Sequence, residues 1–358
     1  MNTSHIKLVS KLPNVGTTIF SVMSALAVEK KAVNLGQGFP DFDCDGVLID
    51  HVNTAMKNGM NQYPQMIGVP ALREAIAKKI AALYQHNYDP ASEITVTAGA
   101  TQALITAILC TVHAGDEVIV IEPAYDSYVP AIELAGGKPI FVQMEITANG
   151  YAVSWEKVAA AVTNKTRIIM INSPHNPTGS VLTKNDLDAL AAIVRNTDIL
   201  IISDEVYEHM VYDGQNHESV CRHPDLVARS FVVSSFGKTY HVTGWKVGYV
   251  TAPPSLSAEF RKVHQFNVFT VNTPMQHGIA AYMADPAPYI SLPKFYQRKR
   301  DLFREGLKAG DKIVSIGGIH GKILEVSDST VLVQSEGTKL RLEKSAVSQA
   351  MEDTLQAK

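Results

Sequence analysis

Between about Thr95 and Thr251, short apolar runs alternate with amphipathic stretches. The runs Val118–Ile121, Ile168–Ile171, Ile199–Ile202 and Phe231–Val233 are strand-length and rich in β-branched residues. The intervening segments Ser154–Val162 and Thr183–Arg195 carry helical spacing. Strands alternating with helices predict an α/β region whose mostly parallel sheet is covered on both faces. Ligands of such sheets sit at the carboxyl ends of the strands. Three polar clusters follow three of the runs, namely Asn172–Gly179, Ser203–Tyr207 and Ser234–Lys238, and they point to one convergent site.

Upstream, Pro70–His86 reads as a helix with Pro70 at its first position and a stripe through Leu72, Ala75, Ile76, Lys79, Ile80 and Leu83. Downstream, Leu256–Phe269, Thr273–Ala284 and Tyr289–Leu307 read as helices. The pattern then changes. Four short alternating runs, Lys312–Ile316, Lys322–Val326, Thr330–Gln334 and Lys339–Glu343, are punctuated by glycines, which predicts a small antiparallel meander or barrel.

Length and charge narrow the function classes. A chain of 358 residues accommodates one large domain and a smaller one. Its formal net charge of -3, without a basic run, gives no nucleic-acid footprint. Cys44, Cys110 and Cys221 are far apart, which argues against a disulfide framework and a clustered metal site. No apolar stretch approaches a membrane span, and residues 1–20 lack the apolar core of a signal peptide. The expectation is a cytoplasmic protein with no metal and no membrane insertion.

The polar clusters carry the chemistry. Lys238, in Ser234-Ser235-Phe236-Gly237-Lys238, follows a buried strand, where a dry setting makes an amine a usable nucleophile toward aldehydes. A lone lysine is ordinarily a solvated charge, so its neighbours decide. Asp204 follows the strand Ile199–Ile202, and a buried carboxylate there needs a cation, such as a protonated pyridine nitrogen. Taken alone, Asp204 reads equally as a helix cap. Tyr207 follows three residues later. Asn176 sits in the rigid turn Ser173-Pro174-His175-Asn176-Pro177, where either X–Pro bond can be cis. Ala98-Gly99-Ala100-Thr101-Gln102, between Ile94–Thr97 and the helical Ala103–Val112, lets backbone N–H groups reach a phosphate; alone it is an ordinary tight turn.

In this order the clusters resemble the class I and II aminotransferases of fold type I, over roughly Lys11 to Arg304. The resemblance implies pyridoxal 5'-phosphate as cofactor, with Lys238 forming a Schiff base to it and shuttling a proton. It implies Asp204 as partner of the ring nitrogen, Asn176 and Tyr207 on the ring hydroxyl, and Tyr125 stacked on the ring. Ala100, Thr101, Ser235 and Lys246 would cradle the phosphate, and Lys246 stands where many members have arginine. Tyr63 would reach the phosphate of a partner subunit, which implies a homodimer. The loop Asn34–Phe42, with Gly38 and Phe39, would close over the substrate beside Tyr125 and Asn176. Lys11-Leu12-Pro13, Gly16–Phe20 and Ser234–Tyr249 look most like the bacterial methionine aminotransferases, with kynurenine-type transaminases as near relatives. The expected reaction moves the amine of methionine, or of another large apolar or aromatic L-amino acid, to a 2-oxo acid. A carbon–sulfur β-lyase and a non-catalytic cofactor-binding chimera are the alternatives.

The pattern breaks off after Tyr289–Leu307. The family's small domain supplies an arginine for the substrate carboxylate, whereas here Arg341 is the sole arginine beyond Arg304. Lys308–Val314, Gly317–Ile323 and Glu343–Val347 look instead like the soluble part of the YajC family, accessory subunits of the Sec translocase. The chain is thus expected to divide into an arm and covering loop at 1–45, a cofactor-binding large domain at 46–288 and a connecting helix at 289–307. A small β unit at 308–350 and a tail at 351–358 complete this division, a chimera whose transamination is impaired.

Overall fold

A computed structural model describes residues 8–30, 38, 40, 42–147, 150–315, 320–344 and 347–351. The nine strands of the first part are β1 (Ile94–Thr97), β2 (Glu117–Glu122), β3 (Lys138–Gln143), β4 (Glu145–Thr147), β5 (Gly150–Ala152), β6 (Thr166–Asn172), β7 (Leu200–Asp204), β8 (Ser230–Ser235) and β9 (Gly248–Thr251). Seven of them form one sheet in the order β1-β9-β8-β7-β6-β2-β3, and β4 and β5 form a separate hairpin. The block β8-β7-β6-β2-β3 is parallel, while β9 runs antiparallel to both β8 and β1. The expected mostly parallel sheet is therefore present.

Alternation along each strand explains the unbroken apolar runs. Ile119, Ile121, Ile169, Ile171, Ile201 and Val232 enter one buried cluster. Their neighbours Val118, Val120, Ile168, Met170, Ile202 and Val233 enter the cluster on the other face. Helices cover both faces, so polar groups are accommodated only where strands end. There Asn172 lies opposite Asp204, and Ser235 lies opposite Gly248.

The predicted helices stand with shifted ends. Pro70–Tyr84, Trp155–Ala161, Lys184–Val194, Pro254–Asn267 and Thr273–Tyr282 match, and the last expected helix is broken at Ser291 into Ala287–Ile290 and Leu292–Gly306. A helix at Ile19–Lys30 and strands β3 and β9 were outside the sequence expectation. Among the described residues no helix is long and apolar enough to cross a membrane.

The C-terminal unit contains β10 (Lys312–Ser315), β11 (His320–Val326), β12 (Thr330–Ser335), β13 (Thr338–Glu343) and β14 (Val347–Met351). They pair antiparallel in the order β13-β12-β11-β10-β14, one strand more than the four alternating runs. Leu307, Ile313, Ile323, Val331, Val333 and Val347 make its own small core.

A buried ion pair joins the elements behind the sheet's polar edge. Glu208 accepts from Lys79 Nζ at 2.5 Å, Tyr84 Oη at 2.6 Å, Ser234 Oγ at 2.7 Å and Tyr249 Oη at 3.3 Å. Both charges are almost fully inaccessible. Burial pushes the Glu208 carboxyl up, but the Lys79 cation and these hydrogen bonds outweigh it and hold the group well below the usual carboxylate range. Replacing Lys79 by Met strands an anion and is expected to cost about 3–5 kcal/mol, read as a lowered urea midpoint. The double variant Lys79→Met, Glu208→Gln should regain most of that loss. A single-variant loss below about 1 kcal/mol would contradict the hub.

Candidate active site

The carboxyl ends of β6, β7 and β8 open into a cavity of about 530 Å³. Gly38, Ala100, Thr101, Tyr125, Asn176, Asp204, Tyr207, Ser235, Lys238 and Lys246 all line it, so the structure brings these sequence candidates together. Phe39 lies outside the described residues. Tyr63 is elsewhere: it is 81% exposed and makes an edge contact with Phe269, their ring centres 5.4 Å apart.

One wall is a cradle for an anion. The helix expected from Ala103 begins at Gly99 and runs to Leu109, which places Ala100 and Thr101 in its first turn. No side chain caps that turn, whose amides carry the positive end of the helix. Gln102 Oε1 instead accepts from the Ala98 N–H at 2.9 Å and fixes the entry. Close approach demands glycine here. Gly99 has φ +79, and a Cβ on Gly248 would stand 2.8 Å from the Ser234 carbonyl oxygen and 3.1 Å from the Ala100 nitrogen. Lys246 is held in a left-handed conformation, φ 54, at the end of the turn Thr243–Trp245.

The opposite side holds the titratable groups. Lys238 follows β8 in the short helix Phe236–Thr239. Its Nζ donates to the Gly38 carbonyl and lies 5.6 Å from the centre of the Tyr207 ring. Burial, and then the charge of Lys246, lowers its pKa. Tyr207 is pushed up to about 12 by burial, with Asp204 and Tyr125 adding to the rise, so it remains a neutral donor. Asn176 stands between the Ser173–Pro174 and Asn176–Pro177 bonds, both cis. Its N–H donates to Asn172 Oδ1 at 2.6 Å.

Asp204 is buried, and among the described residues no cation acts on it. Burial pushes its pKa up to about 6, against the hydrogen bonds from Tyr128 and the Val206 N–H. Tyr128 Oη donates at 2.7 Å, and Asn172 Nδ2 holds the Asp204 carbonyl at 2.8 Å. Sequence reasoning assigned roles to neither Tyr128 nor Asn172. The available signals were position alone: Tyr128 is three residues beyond Tyr125, and Asn172 is the last residue of β6.

These groups fit pyridoxal 5'-phosphate. A cation-bearing cradle suits the phosphate, a buried carboxylate without a cation among the described residues suits a protonated ring nitrogen, and a lysine of lowered pKa suits an aldehyde. Among the described residues no arginine lines the cavity, and Lys238 and Lys246 are the cationic side chains that do. Arg300 is held by Asp213 at 2.5 and 2.9 Å, and Arg341 lies on β13 beside Glu325 at 3.4 Å.

The raised pKa of Asp204 carries a stability cost in the cofactor-free protein. Below pH about 4 the carboxyl is protonated in folded and unfolded chains alike; between pH about 4 and about 6 the unfolded chain has released the proton and the folded one still holds it, so stability falls across that window and the loss is complete above about 6. Asp204→Asn should therefore stabilise the cofactor-free protein by about 3 kcal/mol at pH 8 and by little at pH 4. Urea denaturation at the two pH values checks this, and equal effects at both would contradict it.

Comparison with known proteins agrees with the geometry. The family model for aminotransferase class I and II matches residues 30–350, past the point near Leu307 where the sequence pattern changes. The methionine aminotransferase of Escherichia coli K12 is 50% identical over 299 residues, 83% of this chain and 77% of that protein. Human kynurenine–oxoglutarate transaminase 1 is 35% identical over 323 residues, covering 85% and 76%. A crystal structure of an Escherichia coli protein with a methionine aminotransferase function superposes with a TM-score of 0.83 at 46% identity, covering 92% of this chain and 84% of that one. The chain belongs to the class I and II aminotransferases and is a transaminase of the pyridoxal-phosphate-dependent kind.

Proposed function

We propose that this transaminase acts on methionine or another large apolar or aromatic L-amino acid, and that its turnover is slow. The relatives named above support the substrate class. The cavity supports slow turnover, since a cofactor cradle is present while no arginine lines it among the described residues. A bidentate guanidinium is the natural grip for a carboxylate, and a lysine already engaged with phosphate is a poor substitute.

Bound in this cavity, pyridoxal phosphate supplies an electrophilic aldehyde carbon and an electron sink. The chain's own residues do the rest. The backbone of Ala100 and Thr101, the Ser235 hydroxyl and Lys246 would hold the phosphate. Asp204 would hold the ring nitrogen charged, while Tyr207 and Asn176 would offer hydrogen bonds to the ring hydroxyl. Lys238 Nζ carries a proton to and from the reacting carbon, a role suited to an amine of lowered pKa. Gly38 closes the site at Lys238. Tyr63 serves a partner subunit in a homodimer in this reading, which its exposure on this chain supports. The division at 289–307 and 308–350 is supported by the separate small core of the C-terminal unit. The likeness of that unit to YajC rests on its sequence alone.

The observation that carries the assignment is the convergence of Asp204, without a cation, and Lys238, of lowered pKa, on one cavity. Borohydride treatment of the cofactor-loaded protein should leave the cofactor covalently attached in the wild type and not in Lys238→Ala, read by intact mass. Attachment in the variant would remove Lys238 from the role. With methionine, 2-oxo acid should form slowly and without saturation at millimolar concentrations. Rapid, saturating production would sink the proposal of slow turnover.

A further inference from the structure

Asp204 is the group on which the cofactor ring depends in the reading above, and a single side chain among the described residues donates to its carboxylate. That donor is Tyr128, whose hydroxyl is 2.7 Å from Asp204 Oδ2. Among the described residues the second oxygen, Oδ1, accepts the Val206 N–H alone, at 3.2 Å. Tyr128 is the first residue of the helix Tyr128–Leu134 and is buried outside the cavity lining. Its ring meets Tyr125 edge-on, the centres 5.7 Å apart and the planes at 82°. Tyr125 does line the cavity.

We infer that Tyr128 is a positioning residue for transamination: its hydroxyl holds Asp204 as a charged acceptor and locks that acceptor to Tyr125. The inference rests on the reading of Asp204 as partner of the ring nitrogen. One side chain would thereby couple the two surfaces the ring meets, the carboxylate at its nitrogen and the aromatic across its face.

The phenol works as a donor and never as an acid here. Burial, with the Asp204 charge added, pushes its pKa well above the ordinary tyrosine value. The other titratable groups about Asp204 do not replace it. Glu205 acts on Asp204 unfavourably, and its own carboxylate is taken by Ser203 at 2.8 Å, His217 at 2.8 Å and the Val220 N–H at 3.1 Å. Tyr125 and Tyr207 line the same cavity, as do Lys238 and Lys246 among the described residues. Without the Tyr128 hydroxyl, Oδ2 loses its donor in a buried setting, and the neutral acid gains on the carboxylate.

The test is the affinity for pyridoxal phosphate between pH 5 and pH 8, followed by visible absorbance on the full chain. Three proteins are compared: wild type, Tyr128→Phe and Asp204→Asn. Wild-type affinity should fall as pH drops through about 6. Tyr128→Phe keeps the ring and its contact with Tyr125. It should bind roughly tenfold more weakly at pH 7. Its affinity step should move up by about one pH unit, a displacement that a purely structural role would not produce. Asp204→Asn should bind weakly with no step. If Asp204→Asn loses the step but Tyr128→Phe keeps the wild-type midpoint, the inference about Tyr128 is overturned while Asp204 stands. If Asp204→Asn retains the step, the reading of Asp204 fails and the inference falls with it. Should Tyr128→Phe not fold, 3,5-difluorotyrosine at position 128, a stronger donor of nearly the same shape, should move the step to lower pH. No movement there would overturn the inference.

Discussion

A carboxylate at the end of β7, surrounded by apolar sheet and without a cation among the described residues, is the constraint around which this molecule is arranged. Burying such a group costs folding free energy unless hydrogen bonds and an opposite charge compensate. The chain supplies the hydrogen bonds through Tyr128 and Val206 and leaves the charge to a ligand. Asp204 can sit there because both faces of the sheet are closed by helices, which leaves the strand ends as the place where polar groups converge. Asn172 at the end of β6 then ties Asp204 to the Asn176 turn, through its amide on one side and its carbonyl on the other.

The surroundings of Asp204 are made stiff by a second buried charge. Glu208 gathers donors from the helix Pro70–Tyr84, from β8 and from β9, and Ser234 stands next to Ser235, which lines the cavity. Close packing does the same at Gly248, where any Cβ would collide with the backbone at Ser234 and Gly99. The fold therefore holds the two halves of the site, cradle and carboxylate, at a fixed separation before any ligand arrives. Pre-organisation of this kind is what transition-state stabilisation requires, and it is reached here at some expense in stability.

Much of this was legible in the sequence for a physical reason. Branched apolar runs of strand length mark strands buried on both faces, and the polar residues directly after Ile168–Ile171, Ile199–Ile202 and Phe231–Val233 had nowhere to go but the site. Strand β9 was not legible, because Gly248–Thr251 is short and its place between β1 and β8 follows from pairing rather than from pattern. The start of the helix at Gly99 was hidden by the small residues of its first turn, which carry no helix signal of their own. Tyr128 and Asn172 were missed because their partners lie far away in sequence, and hydrogen bonds of that kind are set by register. The fifth C-terminal strand, Val347–Met351, was missed for the same reason, since its pairing is with β10.

The central claim is a transaminase with its cofactor site built and its substrate carboxylate ungripped. The most direct measurement compares amine transfer from methionine with transfer from its decarboxylated amine, 3-(methylthio)propylamine, as a ratio of kcat/KM. A site made to bind a polar group rejects an analogue lacking it by roughly ten-thousandfold, whereas an indifferent site does not. The account predicts a preference for methionine within about tenfold. A preference approaching ten-thousandfold would show that the chain holds the carboxylate after all and would contradict it.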